Sequence, residues 1–162
     1  MAKPSGDPFQ DLCTMIGLMT LTWAWAENTL AITIGVINEQ AGPIEGYPEA
    51  PLSLKKRIAC LKVALRDIAS LKSLQEEGRA LAVRYSHLGR RRHDLTHGAA
   101  WQLHESDFQS ANVRVIAGKY AVKDHRFNQG DAVSLNIEIA KLQDDAAAFM
   151  LKVLATFESI KS

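Results

Sequence analysis

The sequence predicts a mostly α protein, an up-down bundle of four to five helices with a small β-hairpin inserted before the last helix. Three observations lead there. Apolar residues recur at three- and four-residue intervals through most of the 162-residue chain. Glycine and proline gather in one internal stretch, residues 39–51, "EQAGPIEGYPEAP". Only "NVRVIAGKYAVKD" alternates and is rich in β-branched residues. Hydrophobic residues are 47% and charged residues 23% of the chain, the composition of a globular protein long enough to bury a core. There are no repeats, low-complexity tracts or long linkers, so a single domain over 1–162 is expected.

The elements follow in order. Asp7-Pro8 starts the first helix, with the acid as N-cap and proline at the first helical position. Its stripe is Ile16, Met19, Trp23, Ala26, Leu30, Ile34 and Ile37. Residues 12–37 are long and apolar enough to span a bilayer. Glu27 and Asn28 near the middle argue against that, since an acid at the bilayer centre costs about 2.5–3.5 kcal/mol. No Lys/Arg cluster flanks the segment to orient it. The expectation is a helix buried on more than one face, and a dimer interface is one place for it. Glu27 then has two readings, a partner to an arginine of the third helix or a plain surface residue.

After the 39–51 loop, a second helix carries Leu54, Ile58, Leu61, Leu65 and Ile68, and a break is expected near Ser70–Ser73. The third helix carries Leu74, Leu81, Tyr85, Leu88, Arg92 and Leu95, and Gly98 suits its C-cap. A hairpin is expected between about 112 and 133, with Ala117-Gly118 as its turn and Asn128, Gly130 and Asp131 as a loop. Ser134 then caps a last helix with the stripe Leu135, Ile139, Leu142, Ala146, Phe149, Val153, Phe157 and Ile160.

Net charge is +1, which excludes a global polyanion-seeking field and leaves only local patches. Arg84, Arg90, Arg91 and Arg92 form one, with no acid between 84 and 92. It is either a solvated face or a contact for nucleic acid. Cys13 and Cys60 sit in apolar segments and make no motif, so both are expected as reduced core residues. The polar start "MAKPSGDP" has no secretory pattern, and a cytoplasmic location is the expectation.

The chemistry concentrates in "HLGRRRHDLTHGAAW", residues 87–101. Arg92 lies in a leucine row, where a cation needs an acid, a cleft or a partner. His97 falls at the helix end, where the dipole favours the protonated imidazole and suits it to proton transfer near neutral pH. Such a pair can act on a phosphodiester without a metal. The histidine moves protons and the arginine fork holds the charge developing on phosphate.

"RHDLTH", Arg92 to His97, resembles the signature of the HEPN family of helical-bundle proteins: arginine, a polar residue, three variable residues, histidine. Gly98 and Trp101 resemble the usual continuation. The similarity extends over most of the chain, through a long apolar first helix, a second helix opening "LSLKKRI", the motif at the end of the third, a hairpin and a final helix. The resemblance implies a metal-independent endoribonuclease, toxin or defence-like, that forms a homodimer bringing two motifs into one cleft. Arg92 and His97 match the catalytic pair, and His93 matches the polar position that orients it. Arg84, Arg90 and Arg91 are candidates to hold the RNA backbone by charge. No cofactor is implied. A nucleotidyltransferase-type antitoxin is the partner such proteins often have, and no membrane partner is expected.

Two alternatives stand beside this reading. Arg92 and His97 could serve an interface ion network and a helix cap in a non-catalytic dimeric HEPN-like binding or scaffold module. "HDLTH" is also a His-x-x-x-His pair, and His93 and His97 on one helix face could bind zinc. It differs from the protease motif His-Glu-x-x-His in having the shorter Asp94, and the third-ligand candidates His87, His104 and Glu105 stand at no recognised spacing. Trp101 is either core packing or a base-stacking ring. His125, in a polar loop, carries no signal.

Overall fold

A computed structural model describes residues 6–96, 99–104, 107–116 and 119–161. The chain is mostly helical, as the periodicity predicts. Among the described residues the α-helices are α1 (Pro8–Ala41), α2 (Leu54–Asp67), α3 (Gln75–Thr96) and α4 (Gln129–Lys161), with a 3-10 segment at Ala69–Leu74. Between α3 and α4 lie three antiparallel strands in the order β1 (Ala99–His104), β2 (Asp107–Ile116) and β3 (Lys119–Asn128).

Local chemistry sets the helix boundaries. Asp7 Oδ1 accepts from Phe9 N at 2.9 Å and from Gln10 N at 3.4 Å, the N-cap read from Asp7-Pro8. Ser53 caps α2, and the expected break after it is the 3-10 segment. The start of α4 differs from expectation. It begins at Gln129, five residues before Ser134. Asn128 Oδ1 accepts from Asp131 N and Asp131 Oδ2 accepts from Asn128 N, each at 2.9 Å. The polar triplet that resembles a loop is therefore a reciprocal cap.

Contacts gather the chain into two compact units, one of residues 1–22 and 88–139, the other of 23–87 and 140–162. In the second unit, segments of all four helices share a core of Trp23, Ile34, Leu61, Leu65, Tyr85, Phe149 and their neighbours, with Cys60 buried beside them. Tyr85 Oη donates to the Ala26 carbonyl at 2.6 Å, and its ring meets Trp23 edge-on at 6.1 Å. Burial pushes the Tyr85 hydroxyl above its ordinary range, and the Glu27 charge adds to this. Glu27 does not pair with an arginine of α3. Its carboxylate accepts from Trp23 Nε1 at 2.6 Å, and its backbone carbonyl accepts from Arg57 Nη1 of α2 at 3.5 Å. Its half-buried acid is thus satisfied within its own helix.

In the first unit, Leu12 and Met19 of α1, Leu88 and Leu95 of α3, Phe108 and Phe127 of the sheet, and Ala132, Leu135 and Ile139 of α4 are buried. β2 and β3 pair from Asp107↔Asn128 to Ile116↔Lys119. The expected turn, Ala117-Gly118, lies outside the described residues. The hairpin stands where the sequence predicts it, before the last helix. It begins at 107 instead of 112 and ends at 128 instead of 133, and β1 extends it. β1 and the start of β2, "AAWQLH" and "DFQSAN", lack the β-branched run that marks a strand in isolation.

Residues 12–37 fall short of the apolar length read for them: no helix among the described residues, α1 included, is long and apolar enough to cross a membrane. Cys13 is exposed, against its reading as a core residue, whereas Cys60 is buried and its thiol is pushed up to about 11 by burial.

Candidate functional site at the end of α3

Arg92, His93 and Asp94 occupy the last turns of α3. The final carbonyls of a helix lack in-helix partners, so a helix end is held only by what reaches it from outside. Here the sheet does so. Ser110 Oγ and Asn112 Nδ2, both on β2, each donate to the Asp94 carbonyl at 3.0 Å. Both side chains are buried, a placement that polar groups accept when hydrogen-bonded. Thr96 Oγ1 closes back on the Arg92 carbonyl at 3.0 Å.

The Asp94 carboxylate is held as well. His125 Nε2 of β3 stands 3.3 Å from Asp94 Oδ2, and Lys123 Nζ stands 3.9 Å from the same oxygen. The His125 nitrogen is buried and makes no hydrogen bond, so it lies against the carboxylate without donating to it. Strand periodicity explains the gathering. Phe108↔Phe127, Ser110↔His125 and Asn112↔Lys123 are direct cross-strand pairs, and the period of two puts all six on one face of the sheet. The phenylalanines stack at 5.8 Å and anchor that face, leaving the polar pairs beside Asp94.

The sequence-predicted residues are placed as follows. Arg92 is half-buried and His93 is exposed on α3. His97 and Gly98 lie outside the described residues, as does the side chain of Trp101. Arg84 is paired with Asp145 at 2.5 Å and Arg91 with Glu138 at 2.6 Å, while Arg90 is exposed. Both paired arginines are therefore partly neutralised by acids of α4. Among the described residues, no group of three or more His, Cys, Asp or Glu side chains is placed to hold a metal ion.

Four residues of this site carried no functional expectation: Ser110, Asn112, Lys123 and His125. The signal available in the sequence was the alternation Phe108-x-Ser110-x-Asn112 against Lys123-x-His125-x-Phe127, which becomes visible once the two strands are put in register.

Comparison with family models, curated proteins and solved structures returns no match for this chain.

Proposed function

We propose that the protein is a metal-independent endoribonuclease, toxin or defence-like, whose chemistry resides in the Arg92-His97 motif. The observation that carries this reading is the double tether of Asp94. With its carbonyl accepting from Ser110 and Asn112 of β2 and its carboxylate beside His125 and Lys123 of β3, Asp94 seats the end of α3 on the sheet and carries Arg92 and His93 with it.

The reaction is an internal transesterification. The 2′-hydroxyl of a ribose attacks the adjacent phosphorus and gives its proton to a base. The bond from phosphorus to the 5′-oxygen breaks, and that oxygen takes a proton from an acid. His97 fills one of these proton-transfer roles. Arg92 stabilises the charge on the crowded phosphate through its planar fork, and His93 orients the pair. Arg84, Arg90 and Arg91 hold the strand by charge, and the ion pairs of Arg84 and Arg91 reduce their share. A homodimer that joins two motifs in one cleft, and a nucleotidyltransferase-type antitoxin that silences it, belong to the same proposal.

Product chemistry tests the reaction. Cleavage should leave a 2′,3′-cyclic phosphate and a 5′-hydroxyl, read by mass spectrometry, and a fully 2′-O-methylated RNA should stay intact. Cleavage of the methylated strand would rule out attack by the 2′-oxygen.

The ion pairs Arg84–Asp145 and Arg91–Glu138 favour a second reading, a non-catalytic binding module in which the arginine run braces α3 against α4. Stable RNA binding without cleavage by the folded protein would select it.

A further inference from the structure

Away from the motif, α2 and α3 border a groove of about 390 Å³ lined by Lys62, Val63, Arg66, Arg79 and Val83. Three of the five lining residues are cations and none is an acid. Lys62, Arg66 and Arg79 are exposed, and Val83 leaves 61% of its surface open between them. Lys62 and Arg66 are one helical turn apart, and like charges at that spacing oppose helix formation slightly. Helix formation therefore does not explain the pairing of Lys62 with Arg66.

Two of the three charges are available, and the third is partly neutralised. Among the described residues neither Lys62 nor Arg79 has an acidic partner. Arg66 is gripped by its neighbour Asp67, with Nε and Nη2 donating to the two carboxylate oxygens at 2.6 and 2.7 Å. That grip fixes the guanidinium plane and leaves Nη1 for a ligand. The Asp67 hydrogen bond and charge, with Glu45 adding to them, also keep Arg66 firmly protonated.

We infer that this groove binds the phosphate backbone of single-stranded RNA, an accessory substrate site that rests on the ribonuclease reading above. The Cβ atoms of Lys62 and Arg66 on α2 stand roughly 5–6 Å apart, as neighbouring positions on a helix face do, so their flexible stems can reach successive phosphates. The valines offer apolar surface to sugars and bases. The polar lining side chains are charged donors, which match the phosphate oxygens that every nucleotide carries, so binding here is carried by charge more than by sequence.

The test is fluorescence anisotropy with a labelled, mixed-sequence 2′-O-methyl RNA, which binds without being cut, across a salt series. Lys62→Ala/Arg79→Ala should bind about tenfold more weakly at low salt. Its slope of log K against log salt should be shallower by about 1.4, two single-strand contacts at about 0.7 each. Lys55→Ala/Lys56→Ala removes the same charge from exposed positions at the start of α2 and should change affinity less than about twofold. Equal losses in both variants, or no loss in the first, would overturn the site. Wild-type binding to polyglutamate but not to RNA would also overturn it, in favour of an acidic protein partner. Cleavage is scored separately. An RNA-binding groove in a protein that never cuts RNA sinks only the nuclease, and cleavage by a protein whose groove variant binds normally sinks only the groove.

Discussion

Tyr85 ties α3 to α1 two turns before the motif, and Tyr85→Phe isolates that tie. The ring and its edge-on contact with Trp23 remain, and only the hydroxyl that donates to the Ala26 carbonyl is removed. Ala26 lies within α1, so its carbonyl keeps its in-helix partner and no acceptor is stranded. The cost near neutral pH is therefore that of one net hydrogen bond, about 1 kcal/mol. At high pH the sign reverses. The folded state holds the Tyr85 hydroxyl above its ordinary range, so the stability this contributes is present below the unfolded pKa and lost as pH rises. With an unfolded tyrosine pKa of about 10, the wild type forfeits about 1.4 kcal/mol by one unit above it. That exceeds the hydrogen bond, so the stabilities of wild type and Tyr85→Phe should cross between about pH 10 and pH 11, by the same reckoning. Urea unfolding at a series of pH values, followed by tryptophan fluorescence, measures this. A deficit in the variant that stays constant up to pH 11 would refute the reasoning, because it would mean that Tyr85 ionises as readily when folded as when unfolded.

Three further outcomes follow from the packing and the site. A Cβ on Gly78 would meet Leu65 Cδ1 and stand 2.9 Å from Phe149 Cζ, so Gly78→Ala should lose roughly 0–2 kcal/mol in thermal unfolding, overpacking outweighing helix propensity. Gly17→Ala, with nothing within 4 Å, should gain up to about 1 kcal/mol, and equal effects at the two sites would contradict the packing. At pH 8 iodoacetamide should modify exposed Cys13 and spare Cys60, counted by intact mass. The raised Cys60 pKa contributes stability that is present below the unfolded thiol range and is lost as pH rises toward about 11, and native labelling of both thiols would contradict its burial. Asn112→Ala should cost about 1 kcal/mol for its bond to the Asp94 carbonyl and lower RNA cleavage while the protein stays folded, and full activity would show that the tether does not position the motif.

Much of the fold was legible in the sequence because the helices obey local rules. The stripe Trp23, Ala26, Leu30, Ile34, Ile37 is buried in α1, and Leu135, Ile139, Leu142, Ala146, Phe149, Val153 and Phe157 are buried in α4. The first cap and the break after α2 were legible for the same reason. The errors lie where a residue's partner is distant or its role ambiguous. Asn128 and Asp131 have turn chemistry in either role, and only their reciprocal bonding makes them a helix start. Ser110 and Asn112 are polar residues with weak strand propensity, and their buried places in β2 depend on a carbonyl 16 and 18 residues earlier. His125 gained its place from register with Ser110, which no periodicity within its own segment reveals. The motif itself was visible as a string, whereas the tether that fixes Asp94 was not.

The central claim is that Arg92 and His97 cut RNA, and the direct measurement is cleavage of a labelled mixed-sequence RNA in EDTA by the wild type, Arg92→Ala and His97→Ala. The account predicts EDTA-resistant cleavage by the wild type, with loss of a hundredfold or more in each variant, about the range for removing a positioned acid–base or charge-stabilising group. Cleavage that survives both substitutions, or that requires an added metal ion, would contradict it.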